Sequence, residues 1–329
     1  MTQKDPAMTQ RPMTQPPRTQ QPTTTSVRAT ELAARNEQKG WNPLRVAGRA
    51  FGTVWSEPKA RFGIVLLALF ILMAIFAPLL APYDPHDTSF PHNQDGSAAH
   101  LLGTTGVGQD VLSQLIWGAR VSVSVALIAG LLSTLVAILV GLSWGYVRAF
   151  WGEGVGFVVN LFLVIPALPL MIVIAAYLHN GGIGVIVLVV VVTGWAWGAR
   201  VLRSQTQTLR SRDFVTAARF SGESPSRIVF REILPNMTSL IVASFFGAAT
   251  AAILAEAGLE FLGLGDPNTV SWGTMLFWAQ NSNVLLTGQW VQLFAPGLMI
   301  ALFAVSMTFI NFGVDGLSNP RLRERKAAR

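Results

Sequence analysis

Six stretches of this chain, 62–80, 121–147, 155–178, 183–199, 237–255 and 291–312, run for 17 to 27 residues without a charged side chain. A hydrocarbon slab of ~30 Å is crossed by about 20 helical residues. Inside such a slab every backbone amide and carbonyl must find its partner within the segment, which leaves the helix as the only open-chain solution. The expected fold is therefore all-α, a polytopic membrane protein with six transmembrane helices across residues 62–329. The fourth run is short, and the third holds Pro166 and Pro169. Each proline lacks an amide and crowds the preceding turn, so a kinked or partly unwound helix is expected there. A mean hydropathy of +0.46 fits the same class.

Orientation follows from Lys and Arg, which stay on cytoplasmic flanks. Residues 1–61, 148–156, 200–236 and 314–329 hold 23 of the 24 basic residues. The loops 82–119 and 263–290 hold none, and Arg120 at the mouth of the second span is the exception. Both termini are expected in the cytoplasm, in a multi-pass protein of a bacterial or archaeal cytoplasmic membrane. The net charge of +7 thus serves topology and attraction to anionic lipid, and nucleic acid is not an expected partner. With no cysteine, disulfides and thiolate metal sites are excluded.

Residues 1–25 repeat Met-Thr-Gln at Met1, Met8 and Met13 and carry five prolines with few apolar side chains. Such a segment cannot bury enough surface to fold, so 1–40 is read as a disordered cytosolic tail with a transient helix at 31–38. Met8 and Met13 are alternative translation starts. Residues 41–61 mix Trp41, Leu44, Phe51 and Trp55 with Arg45, Arg49 and Lys59. That mixture suits an interfacial helix lying flat before the first span. The outer loop 82–119 gathers His86, His92, His100, Asp84, Asp87, Asp95 and Asp110, whose spacings match no compact ligand set, so no metal site is assigned.

The charged insert 200–236 reads differently. Ser211 is placed to cap a first helix, Asp213 suits its positive end, and Gly222 supplies a left-handed stop. Ser224 and Pro225 open a second helix as cap and first-turn residue, and Pro235 is expected to end it. Phe214, Val215, Ala218 and Phe220, with Ile228, Val229, Phe230, Ile233 and Leu234, are more apolar than a solvated loop requires. Two readings stand on spacing alone: padding against the membrane surface, or a face for a protein partner.

The run Thr216-Ala217-Ala218 with Gly222 and Leu234-Pro235 resembles the coupling loop of ATP-binding-cassette (ABC) importer permeases, the cytosolic element that seats on the ATPase subunit. Thr216 stands where that family usually has Glu, and Glu232 where close relatives often have His. The resemblance extends over residues 41–325. It includes Ala77 to Pro85, Leu102-Gly-Thr with Asp110-Val-Leu-Ser113, and Gly118-Ala-Arg120. It continues through Ile253 to Gly265, Ser271-Trp-Gly273, Pro296-Gly297, Gly313 to Leu317 and Asn319-Pro-Arg321. Together these are similar to the second permease of the dipeptide, oligopeptide and nickel importer group.

The resemblance implies the type I permease fold and an assembly: a homologous permease as heterodimer partner, two ABC ATPases, and an extracytoplasmic solute-binding protein. It assigns Thr216, Ala217, Ala218, Gly222, Ile228, Phe230, Leu234 and Pro235 to ATPase coupling. Thr105, Gln109 and Gln114 replace residues that peptide importers commonly carry as Asp, Arg and Arg, and Glu260 replaces a usual Ser. Peptide is the expected solute, with oligosaccharide and nickel chelate as alternatives.

No Lys follows a Gly anywhere in the chain, so a Gly-Lys-Ser/Thr phosphate loop is absent. No paired carboxylates and no Ser/His/Asp arrangement emerge, and His179 stands alone near an outer turn. Catalysis is not expected, nor a cofactor of this chain's own; ATP and magnesium belong to partner subunits. Glu256 and Glu260, one turn apart at the outer end of the fifth span, are candidates for a substrate path or gate, or structural partners of Arg120 and nearby amides. Asn160 in the third span and Trp272 in the outer loop are further candidates for the path. A secondary transporter would need intramembrane titratable groups and an internal repeat. A membrane scaffold would not need a glycine-hinged cytosolic helix pair.

Overall fold

The structure, a computed structural model of the chain, describes residues 52, 54–146, 150–178 and 182–318, the side chains at 150, 151 and 315–318 excepted. The tail 1–40, most of the expected interfacial helix 41–61, His179 and residues 319–321 lie outside the described residues. All described residues belong to one unit that begins at Arg49.

The chain is helical, and among the described residues the only strand-like feature is an isolated bridge between Thr104 and Asp110. In chain order the helices are α1 (Pro58–Ile75), α2 (Ala77–Leu80), α3 (Val111–Tyr146), α4 (Phe150–Val164), α5 (Ala167–Tyr177), α6 (Ile183–Arg210) and α7 (Asp213–Phe220). A short helical turn Pro225–Arg227, a π-helical turn Ile228–Ile233 and a 3₁₀ turn Leu234–Met237 then lead into α8 (Thr238–Phe261). The chain continues with α9 (Trp272–Asn281), α10 (Val284–Thr287) and α11 (Val291–Ser318). Among the described residues five helices are long and apolar enough to cross a membrane, and α4 with α5 makes a sixth crossing if the pair counts as one. That pair is bent by 93° at Pro166, a sharper break than a kink.

Several boundaries differ from the hydropathy reading. α1 starts at Pro58, taking in the last residues of the expected interfacial segment. α3 extends ten residues outward of the charge-free run, and α6 runs on to Arg210, so the insert begins as helix and not as loop. Charge ends a hydrophobic run without ending a helix. α9 lies inside what reads as an outer loop, and the sequence marked its start: Ser271 and Thr274 form a reciprocal capping box.

Small residues let α3 pack closely on α6. A Cβ added at Gly141 would sit 2.7 Å from the Ala199 carbonyl, a contact no real Cβ makes. The principal core gathers Phe70 of α1, Leu115 and Val123 of α3, Ile253 of α8, Trp272 of α9, and Phe303 and Met307 of α11.

Candidate functional site

Two regions of this bundle concentrate polar or unusual groups, one at each end. The inner one is the segment 211–237. Gly222 has φ +79°, the left-handed turn that joins its two halves. Ser224 accepts a hydrogen bond from the Arg227 amide, and Pro225 follows as the first helical residue. The cap of α7 is Arg212, which makes no side-chain cap bond. Ser211 instead closes α6, its hydroxyl donating to the Thr208 carbonyl. Its role as a cap of the first helix is therefore corrected: α6 runs long enough to claim it.

Pro235 does not end the second helix. It removes the amide that the Arg231 carbonyl would meet, and the backbone responds by changing gauge from π to 3₁₀ before resuming as α8. The Asn236 side-chain amide donates to the Glu232 carbonyl at 2.6 Å, and the Thr238 hydroxyl to that of Pro235 at 2.8 Å. These bonds satisfy two carbonyls on either side of the change of gauge.

The segment has two faces. Val215, Ile228 and Ile233 are buried against Leu142 of α3, Ala199 and Leu202 of α6, and Met237. Part of this apolar surface is thus covered within the chain, and Ile228, which the resemblance assigned to ATPase coupling, belongs to the inner face. Ala218 and Leu234 are half-buried at its border. On the outer face Phe220 is 89%, Phe230 56% and Phe214 38% exposed, and Thr216, Ala217, Gly222 and Pro235 are exposed beside them. Thr216 spends its hydroxyl on the Arg212 carbonyl. The guanidinium groups of Arg210 and Arg219 approach the Tyr146 ring at 5.4 and 5.5 Å, tying α6 and α7 to the end of α3.

The outer region is a knot of buried polar groups. Ser122 of α3 donates to Glu256 of α8 at 2.9 Å and accepts from the Trp272 amide at 3.1 Å. Ser271 donates to Glu260. Trp272 is fully buried, its indole N–H donating to the Leu115 carbonyl at 2.9 Å and its ring meeting Phe70 edge to face. In this conformation it offers no face to a solute. Both glutamates are buried within the protein, and Arg120 pairs with neither, its guanidinium lying over Trp117 at 5.1 Å. The pairing with Arg120 is corrected: Ser122 of α3 and Ser271, the cap of α9, each donate to one carboxylate instead, and the second oxygen of Glu256 is buried without a hydrogen-bond partner among the described residues. Asn160 accepts from Arg200 at 2.6 Å.

The loop before α3 is bound down as well. Asp110 accepts from the Ser113 amide and hydroxyl at 2.8 and 2.7 Å, capping α3, and bonds His100 at 2.9 Å. Gln114 donates to Gln109 at 2.8 Å and the Gln109 amide to the Thr105 hydroxyl at 3.0 Å, so three of the departures from the importer pattern are joined. On the loop surface the Ser89 hydroxyl and amide lower the Asp87 carboxyl from its ordinary range. Among the described residues no three His, Asp or Glu side chains are grouped to hold a metal ion.

Residues 137–324 match the family model of the binding-protein-dependent transport system inner membrane component. Residues 56–101 match that of the N-terminal transmembrane domain of oligopeptide transport permease C. The chain is 33% identical to the di/tripeptide transport system permease protein of Pseudomonas aeruginosa, over 79% of this chain and 88% of that protein. It is 30% identical to the oligopeptide transport system permease protein of Bacillus subtilis, over 83% and 91%. The dipeptide transport system permease protein of the same organism is also 30% identical, over 80% and 82%.

Proposed function

The chain belongs to the family of binding-protein-dependent transport system inner membrane components, and from that premise we propose that it is the peptide-importing member of such a system, driven through the segment 211–237. It is a multi-pass permease subunit of a bacterial ABC importer, not a catalyst. Its solutes are di- or oligopeptides, the class its relatives are named for. ATP and magnesium are used on two separate ATPase subunits, a homologous permease closes the other half of the path, and a solute-binding protein delivers from outside. Both termini face the cytoplasm, a reading supported by the one-sided Lys and Arg.

The observation that carries the mechanism is the split between the two faces of the inner segment. Phe214, Phe220 and Phe230 are bare, while Val215, Ile228 and Ile233 are seated on α3 and α6. A partner that covers the bare row can move the segment only by moving what the seated row is packed on. The segment is also continuous with α8 through Leu234–Met237, so a push at Phe230 reaches the fifth crossing without passing through a slack loop. ATPase closure thus becomes a change in which side the path opens to.

The test is Gly222→Pro and Ala218→Asp in the assembled importer. Proline cannot adopt φ near +79°, and an aspartate at Ala218 places a charge at the border of the seated face. Peptide uptake and peptide-stimulated ATP hydrolysis are expected to fall to background while membrane insertion persists. Normal coupling in both variants would refute the assignment of the segment.

A further inference from the structure

A cleft of about 680 Å³ opens between the inner ends of α3 and α6 and the first half of α4. Trp144, Gly156 and Phe157 form its apolar wall, and Glu153, Asn160 and Arg203 face them. On α6, Arg200, Arg203, Gln207 and Arg210 recur at intervals of three and four, so they form one stripe, with Trp197 one turn ahead of it.

The two upper arginines are held in place but lack an anion. Arg200 donates to Asn160 at 2.6 Å, which fixes its fork against α4. The Arg203 guanidinium lies over the Trp144 ring at 3.8 Å, and its buried Nε has no hydrogen-bond partner. Among the described residues the ion pairs formed are His100 with Asp110 and Arg227 with Glu223, so neither arginine has a carboxylate in reach. Glu153 is the one acid lining the cleft. A guanidinium fork partly withdrawn from water matches the oxygens of a phosphate or carboxylate.

The position of the cleft favours one source. Arg200 is the first charge after the apolar run 183–199, the level at which hydrocarbon gives way to headgroups. Trp197, one turn before Arg200 on α6, is 67% exposed, and Phe157, one turn before Asn160 on α4, is 69% exposed. Cationic clefts between membrane helices on the cytoplasmic side suit anionic headgroups. We propose that the α3–α4–α6 cleft binds an anionic phospholipid of the inner leaflet, its phosphate on Arg203 of the lining and on the neighbouring Arg200, which is bonded to the lining Asn160, and its acyl chains running outward past the exposed Trp197. The assignment to the inner leaflet rests on the orientation given above.

The test uses the full-length permease purified with its partner subunits in neutral detergent and titrated with phosphatidylglycerol or phosphatidylcholine, retained lipid being counted by native mass spectrometry. Wild type should prefer phosphatidylglycerol. Arg200→Gln with Arg203→Gln should lose roughly thirtyfold in that affinity, about fivefold per cation, and with it the preference over phosphatidylcholine, whose phosphate is offset by its own choline cation. Arg200→Lys with Arg203→Lys keeps the charges and should keep most of the preference, which separates lost binding from lost folding. Equal phosphatidylglycerol retention in wild type and the glutamine pair would overturn the proposal. So would a parallel titration in which the glutamine pair loses a tripeptide and not the lipid, assigning the cleft to the solute. Peptide uptake by wild-type cells is scored separately, so failure of the permease reading and failure of the lipid site show up in different measurements.

Discussion

The outer and inner ends of this bundle are built from opposite materials. At the outer end Ser122, Glu256, Ser271, Glu260 and Trp272 are buried and joined by hydrogen bonds that reach from α3 to α8 and α9. At the inner end Phe214, Phe220 and Phe230 are bare, and the hydrogen bonds around them stay within one segment. Buried polar groups specify one arrangement, because a broken bond there leaves an unsatisfied group away from water. An exposed apolar row specifies nothing until a partner covers it. The contrast teaches that the outer end fixes the bundle, while the inner end carries an apolar row that nothing among the described residues covers.

The sharpest way to break this contrast is at Trp272. Trp272→Ala removes the ring packed on Phe70 and the second donor of the Leu115 carbonyl, and should destabilise the bundle by about 3–5 kcal/mol, read as a lower melting temperature in detergent. Ser122→Ala takes the hydroxyl from Glu256 and should cost about 1–3 kcal/mol by the same measurement. Phe220→Ala and Phe230→Ala should change stability by less than about 0.5 kcal/mol yet cut peptide-stimulated ATP hydrolysis several-fold. If they melt early, the inner row is structural and the contrast fails. Arg227→Ala breaks the exposed pair with Glu223 at 3.4 Å and should shift stability by no more than about 0.5 kcal/mol with coupling intact.

Much of the fold was legible because charge-free length and Lys/Arg placement are local properties. So were Gly222, Ser224 and Pro225, whose roles depend on their own dihedrals and neighbours. The inward turn of Ile228 was not, because Pro235 forces a π-to-3₁₀ change of gauge and shifts the phase that an α-helical spacing assumes. The burial of Glu256 was hidden for another reason: its donor, Ser122, lies 134 residues away, and no local pattern announces such a pairing. Near Glu260 the capping box at Ser271 and Thr274 was a readable signal for α9, whereas the bond from Ser271 to the carboxylate was not. Arg120 looked like the natural partner of these acids on charge alone, but it sits over Trp117 on its own helix.

α3 joins the two ends. Its 36 residues span about 54 Å, from Val111 beneath the outer loop to Tyr146 beneath the two arginines. A hydrogen-bonded helix does not stretch, so its ends can move relative to the membrane only if the whole rod leans. A lean of about 5° would carry one tip roughly 5 Å sideways relative to the other, enough to report at the far end of the bundle what has happened among the aromatic side chains below.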